Sequence, residues 1–255
     1  ALPMVPRLTG HDDVRAQISR LNPDLVLDYG DLSPRFVEID RRAERTLGIP
    51  VVLLDGALAR TPATLRELGV ITGRTVRAGA LATLAEAVLA AVPAPARQVR
   101  VVYARGPDGL LLLRPGSTAA DIFRLLGWSV QPPPGDQSGS FGRATMRELA
   151  ALEPDVVILA DPAARAALAG SPEWTQSRAA LTARVLVAPG EPFGWIEEPP
   201  SINRLLGLSW LSGNDPGSVG ALLGALLYGR LPPATQIASW REQARRFNPH
   251  LEVAP

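Results

Sequence analysis

Two stretches of the chain repeat one pattern of apolar and polar positions. Ile18–Asp31 (ISRLNPDLVLDYGD) and Met146–Pro162 (MRELAALEPDVVILADP) each start as an amphipathic helix, pass through Asn-Pro-Asp or Glu-Pro-Asp, and enter an unbroken apolar run. Those runs are Leu25 to Leu27 and Val156 to Ala160. Proline stops a helix because its ring clashes with the preceding turn and it has no N–H to donate. A continuous aliphatic run suits a strand buried on both faces of a parallel sheet. Each copy goes on through a helical stretch to a second apolar run, IPVVLLDG at Ile49–Gly56 and ARVLVAPG at Ala183–Gly190. Strand, helix, strand at this spacing predicts a βαβ unit. The chain reads as an α/β protein with the same module used twice, hence two lobes with parallel sheets.

Between the copies lies Thr61–Val92, rich in Ala and Leu and free of proline after Pro62. Thr61 can cap a helix and Pro62 sits in the first turn, where proline is tolerated. Gly69, Gly73 and Gly79 weaken such a helix without forcing a break. The expectation is one long helix joining the lobes, ~40 Å or more at ~1.5 Å per residue. Pro93 and Pro95 close it. The organisation expected is a first lobe over residues 1–60, a bridging helix over 61–95, a second lobe over 96–235, and a C-terminal helix and tail over 236–255. The second lobe begins with a strand at Val99–Gly106, a turn at Gly106–Gly109, an apolar run into RPGS, and a helix at Thr118–Trp128. Gln131–Gly142, rich in Pro, Gly and Ser, reads as a loop. The two copies are unequal, because much more chain precedes the second repeated helix than the first. An opening strand–helix–strand of the first lobe is therefore expected to be missing, a divergent first lobe being the alternative.

Composition narrows the function classes. Formal net charge is +1, from 26 basic and 25 acidic residues, which argues against a nucleic-acid binder. Cysteine is absent, so no disulfide, thiolate metal site or cysteine nucleophile exists. No apolar window reaches the ~18 residues of a membrane-spanning helix. The first residues, ALPMVPRLTG, lack the basic start and apolar run of a signal peptide.

Candidate chemistry is sparse. The two histidines, His11 and His250, are too few for a four-ligand metal site. There is no GxxxxGK[ST] loop and no GxSxG, and SGSFGR at Ser138–Arg143 does not complete GxGxxG. What remains is a set of polar and aromatic residues at the C-terminal ends of predicted strands, the edge where open α/β sheets bind ligands. Tyr29 follows the strand LVLD, Arg105 ends VVYA, and Trp195 lies in the loop after RVLVAP. Ser117 in RPGST and the loop serines Ser138 and Ser140 can donate to an anionic or carbonyl-rich ligand. Each has a plainer reading: Tyr29 as a core edge, Arg105 as a partner of Asp108 or Asp121. Trp128, Trp174, Trp210 and Trp240 fall on helical patterns and read as core.

Taken in order, NPDLVLDYG, LDGALARTPATLRELGVITGR, YARGPDGLLLLRPGST, LAALEPDVVILAD and PFGWIEEPPSINRLLGLSWL span nearly the whole chain and resemble a known family. It is the periplasmic-binding-protein family serving ABC importers of iron–siderophore, haem and cobalamin, with a molybdate/tungstate branch. The resemblance implies two Rossmann-like lobes joined by a rigid helical backbone, with the ligand in the cleft between them. It implies ligand contacts at Tyr29 and Trp195. It also implies one acidic group on each lobe that docks on arginines of the membrane permease, Glu197 in WIE and, with a poorer match, Asp31. The function expected is capture without chemistry by a monomer, periplasmic or membrane-anchored on the extracytoplasmic side. No resident cofactor is expected, since a metal would arrive inside its own chelate. A metal chelate of the iron–siderophore kind is favoured; a bare oxyanion such as molybdate or tungstate is the alternative and would bring in Arg7, Arg105 and main-chain N–H groups. The rivals are a transferase-type α/β enzyme and a ligand-sensing domain of the same fold.

Overall fold

The computed structural model describes residues 12–94, 97–135, 139–191, 193–197 and 201–247. The first lobe runs α1 (Asp12–Arg20), β1 (Val26–Gly30), α2 (Pro34–Leu47) and β2 (Val51–Asp55). β1 and β2 pair in parallel, Val26 opposite Val51 and Gly30 opposite Asp55, as the βαβ pattern requires. Pro34 sits in the first turn of α2, where its missing N–H leaves no bond unmade, and Gly48 ends the helix at φ 69°.

The bridge departs from the single helix that the sequence predicts. It consists of α3 (Thr61–Ile71) and α4 (Thr75–Ala90), folded back on each other. Arg66 and Glu86 form an ion pair at 2.7 Å, whereas an unbroken helix would hold them ~30 Å apart. Two glycines account for the difference. Gly73 takes φ 66° at the turn, a conformation that costs other residues dearly. Gly69 lets the helices touch, since a Cβ there would lie 2.3 Å from the Cβ of Ala78. Helix propensity counts such glycines as mild defects, while tertiary packing uses them as a corner.

The second lobe continues with β3 (Val99–Arg105), β4 (Leu111–Leu113), α5 (Asp121–Leu125), β5 (Trp128–Val130), β6 (Phe141–Arg143), α6 (Met146–Ala151), β7 (Val156–Leu159), α7 (Ala163–Gly170), α8 (Pro172–Thr175), α9 (Arg178–Thr182) and β8 (Arg184–Val187). Its sheet has the order β6-β4-β3-β7-β8, with β5 also beside β3. β5, β7 and β8 run parallel to their neighbours, and β4 and β6 add an antiparallel edge. All four residues of β7 are buried, as its unbroken apolar run implies. Trp128 is a correction: Gly127 at φ 68° stops the helix early, so Trp128 opens a strand instead of lying on a helical face. α10 (Arg204–Leu211), α11 (Pro216–Tyr228) and α12 (Ala234–Phe247) complete the described chain.

The sequence repeat is also a conformational repeat. Among the described residues only Asn22 and Glu153 combine a side chain with positive φ, at 45° and 43°. Both occupy the position before the proline in Asn-Pro-Asp and Glu-Pro-Asp. Each turns the chain from helix into strand, and proline then prevents the helix from resuming.

One apolar core joins bridge and second lobe, with Leu58 and Leu81 packed with Val101, Phe123, Trp195 and Trp210. The first lobe keeps a smaller core of Val14, Ile18 and Ala43 between its helices and strands. That small core makes polar contacts across the junction matter more for holding the first lobe in place.

Candidate functional site

The C-terminal ends of β1 and β2 face the segment after β4, and a cavity of ≈440 Å³ lies between them. The first lobe contributes Asp28, Tyr29, Asp31 and Arg35, and the second contributes Arg114, Ser117 and Ser140. The strand ends converge here because successive parallel strands leave their loops on one edge.

Its chemistry is that of a donor-lined hollow. Ser117 is 8% exposed and its Oγ has no hydrogen-bond partner. Nη1 of Arg114 is buried and equally without a partner. Arg35, exposed in the first turn of α2, adds a cation where that helix has no acidic residue. Buried donors left without partners are costly, so a site that keeps them is built for something that supplies acceptors.

Beneath the cavity lies Arg204, 0% exposed. From α10 it donates to the Thr118 carbonyl at 3.2 Å, to Tyr29 Oη at 3.1 Å and, closely, to the Gly56 carbonyl. Tyr29 Oη in turn donates to the Gly56 carbonyl at 3.4 Å. A second tie runs from the Leu58 N–H to Asp121 Oδ2 at 3.1 Å. One guanidinium thus binds a strand end of the first lobe, the entry to the bridge and a turn of the second lobe. It fixes the Tyr29 ring at the cavity wall.

The predicted residues divide into two groups. Tyr29, Asp31, Ser117 and Ser140 meet at the cavity. Asp31 is exposed there, its carboxylate accepting from the Ser33 N–H at 2.8 Å. Arg105, Trp195 and Glu197 do not line it. Trp195 is 0% exposed, and its indole N–H donates to the Glu191 carbonyl at 3.1 Å. The reason is a close approach: a Cβ on Gly207 would lie 2.1 Å from the Trp195 carbonyl oxygen, so this loop is pressed onto α10 and its indole enters the core. Arg105 faces Glu197 at 2.7 Å and covers the Phe141 ring at 4.7 Å, rather than pairing with Asp108 or Asp121. Glu197, 7% exposed, is no free surface carboxylate. Burial pushes its carboxyl up, while Arg105 and the Tyr103 hydroxyl pull it back. Trp195 and Glu197 help wall a separate hollow of ≈250 Å³, with Tyr103 and Phe193. Arg7, His11, Ser138 and His250 lie outside the described residues.

Arg35, Arg114 and Arg204 were not singled out by sequence reasoning. Arg114 was within reach, because RPGST places it three residues before Ser117 in the same turn. Arg204 carries no signal of its own; it opens an apolar helix and only the tertiary fold shows what it touches. No group of three or more His, Cys, Asp or Glu among the described residues is arranged to hold a metal ion.

No protein-family profile matches the sequence, and no curated protein matches it. Solved structures do. An ABC transporter solute-binding protein from Sulfurospirillum deleyianum superposes with a TM-score of 0.79 at 20% identity, covering 94% of this chain and 79% of that one. A periplasmic solute-binding protein from Veillonella parvula gives 0.63 at 21% identity, covering 92% and 74%. The periplasmic haem-binding protein BhuT, solved with two haems, gives 0.58 at 21% identity, covering 83% and 81%. At these identities the likeness is one of architecture, and the chain has the two-lobed α/β fold of the periplasmic solute-binding proteins of ABC transporters.

Proposed function

We propose that this chain is the substrate-binding component of an ABC importer, capturing an anionic ligand in the interlobe cleft and delivering it to the permease without chemical change. The observation that carries this is a cavity that both lobes build, lined by Arg114 and Ser117, each of which holds a buried side-chain donor without a partner. Tyr29, Ser140 and Arg35 are the further contacts. The ligand favoured is a metal chelate of the iron–siderophore kind. At ≈440 Å³ the cavity falls in the range of organic-ligand sites, and Tyr29 and Phe36 offer ring surface. A bare oxyanion is the second reading, favoured by the same donors. It would leave most of the cavity to water, at ~30 Å³ per water molecule. The setting proposed is extracytoplasmic, periplasmic or membrane-anchored. No helix among the described residues is long and apolar enough to cross a membrane. Asp31, exposed at the cavity, is the acidic group proposed for permease docking on the first lobe.

Isothermal calorimetry against ferric siderophores, haem, cobalamin, molybdate and tungstate tests the reading. Saturable binding of one chelate, weakened at least ~10-fold in Arg114→Met through loss of a charge-assisted contact, supports it. Binding of an oxyanion alone selects the second reading. Binding that ignores Arg114→Met and Ser117→Ala places the ligand elsewhere and refutes the site.

A further inference from the structure

Far from those donors, two turns of the chain present another surface. Every residue from Val70 to Arg77, around the corner of the α3–α4 hairpin, is exposed, and so is every residue from Tyr228 to Leu231 after α11. Val76 is 88% exposed, Tyr228 73%, Val70 72% and Leu231 67%. The turns share a groove of ≈670 Å³, lined by Arg74, Val76 and Arg77 on one side and by Leu226 and Gly229 on the other. Scattered apolar side chains are ordinary on a protein surface; several of them on two turns that share a groove are not.

The charge around them has one sign. Arg74, Arg77 and Arg230 interleave with the apolar residues, and none has an ion pair or side-chain hydrogen bond among the described residues. Residues 68–85 and 216–241 contain no Asp or Glu, although the chain as a whole is nearly neutral. The nearest acid in the hairpin is Glu67, one turn before Val70, while Glu86 is engaged by Arg66. Thr75 opens α4, a helix of 16 residues with no acid in its first turn, so the helix dipole adds to the positive potential.

We infer that this face docks on an anionic lipid surface. Aliphatic tips and a tyrosine, each beside an arginine whose stem can lie along the acyl boundary while its head stays with phosphate, match the composition of an interfacial anchor. The groove between the turns accepts a headgroup phosphate between Arg74 and Arg77. Exposed apolar tips beside arginines, with no acid among them, suit an anionic lipid surface. Such docking holds the protein at the membrane independently of what its cleft carries.

Co-sedimentation of the full chain with vesicles tests this, comparing phosphatidylcholine alone with phosphatidylcholine containing about one third phosphatidylglycerol. Binding is expected only with phosphatidylglycerol. The triple variant Arg74→Ser, Arg77→Ser, Arg230→Ser should lose ~100-fold, at ~5-fold per arginine near an anionic surface. The double variant Val76→Ser, Tyr228→Ser keeps every charge and should still lose ~10-fold or more through lost apolar burial. All five positions are exposed, so folding is preserved and circular dichroism verifies it. Failure of the wild type to bind these vesicles overturns the inference, and so does binding that ignores Val76 and Tyr228. Self-association, or capture of an acidic protein through this face while vesicles are ignored, overturns it in favour of a protein partner.

Discussion

Replacing Arg204 by Met should loosen the junction between the lobes. The guanidinium makes three hydrogen bonds, to Tyr29 Oη and the carbonyls of Gly56 and Thr118. Bonds from a charged donor contribute ~1.5–3 kcal/mol each, so ~5–9 kcal/mol is at stake before offsets. Two offsets apply. Removing a fully buried charge whose Nε has no partner recovers several kcal/mol of desolvation. The carbonyls are also not orphaned: Gly56 keeps Tyr29 Oη, and Thr118 keeps the Asp121 N–H. The net expected loss is ~3 kcal/mol, or ~6–12 °C in Tm for a chain of this size. Arg204→Lys should fall between, because one ammonium cannot span three acceptors in a plane. Thermal unfolding by circular dichroism reads both. A cycle with Tyr29→Phe should return a coupling of ~1 kcal/mol. A Met variant as stable as the wild type would refute the reasoning, since desolvation would then outweigh the bonds and Arg204 would hold nothing together.

Three more outcomes follow from the packing and the charges. Gly69→Val should push α3 from α4, because even a Cβ would meet that of Ala78 at 2.3 Å; a loss of ~2 kcal/mol or more in urea unfolding is expected, against little effect if the bridge were a single helix. Gly207→Ala should destabilise comparably by driving a Cβ into the Trp195 carbonyl, and near-ultraviolet circular dichroism should show the indole released from its fixed environment. Asp40, 5% exposed with neither carboxylate oxygen partnered, is pushed up to about 6 by burial and by Asp28 beside it. A raised folded pKa means that stability is fully present below about pH 4 and falls as pH rises through about 6, by up to ~3 kcal/mol; Asp40→Asn should flatten that slope in urea midpoints and be the more stable protein at pH 7.

Local pattern carried the fold a long way. The paired helix–Pro–strand segments, the βαβ units and the C-terminal helix are all short-range statements, and periodicity with proline placement expresses them directly. The bridge failed because Gly69 and Gly73 act through a partner helix, and propensity sees no partner. The site split along the same line. Tyr29, Ser117 and Ser140 stand at strand ends or turns, and topology alone delivers those to one edge. Trp195 misled because a Gly/Pro-flanked loop reads as exposed, whereas Gly207 opens a bed for it on α10. Glu197 likewise sits where its motif places it, but Arg105 draws it inward. Arg204 was illegible for the opposite reason: its three partners lie 86 to 175 residues away in the chain.

The arginine that ties the lobes together also prepares the cleft for an anion. Arg204 is fully buried, yet its hydrogen-bond partners are a phenol and two carbonyls rather than a carboxylate. Arg114 holds a buried nitrogen without any partner. Arg35 and Arg114 share the cavity wall with Asp28 and Asp31, while Arg204 beneath it has no carboxylate among its hydrogen-bond partners, so its buried charge is expensive. An arriving anion is stabilised by that charge and in turn relieves it, so ligand affinity and the strength of the lobe junction are linked quantities. By mass action a ligand at ~100 times its Kd adds ~2.7 kcal/mol to stability. In Arg204→Met an anionic ligand should bind more weakly and add less at the same concentration, whereas a neutral ligand should add the same in both proteins. The difference between the two measures how much of the cleft's affinity comes from the charge that also binds one lobe to the other.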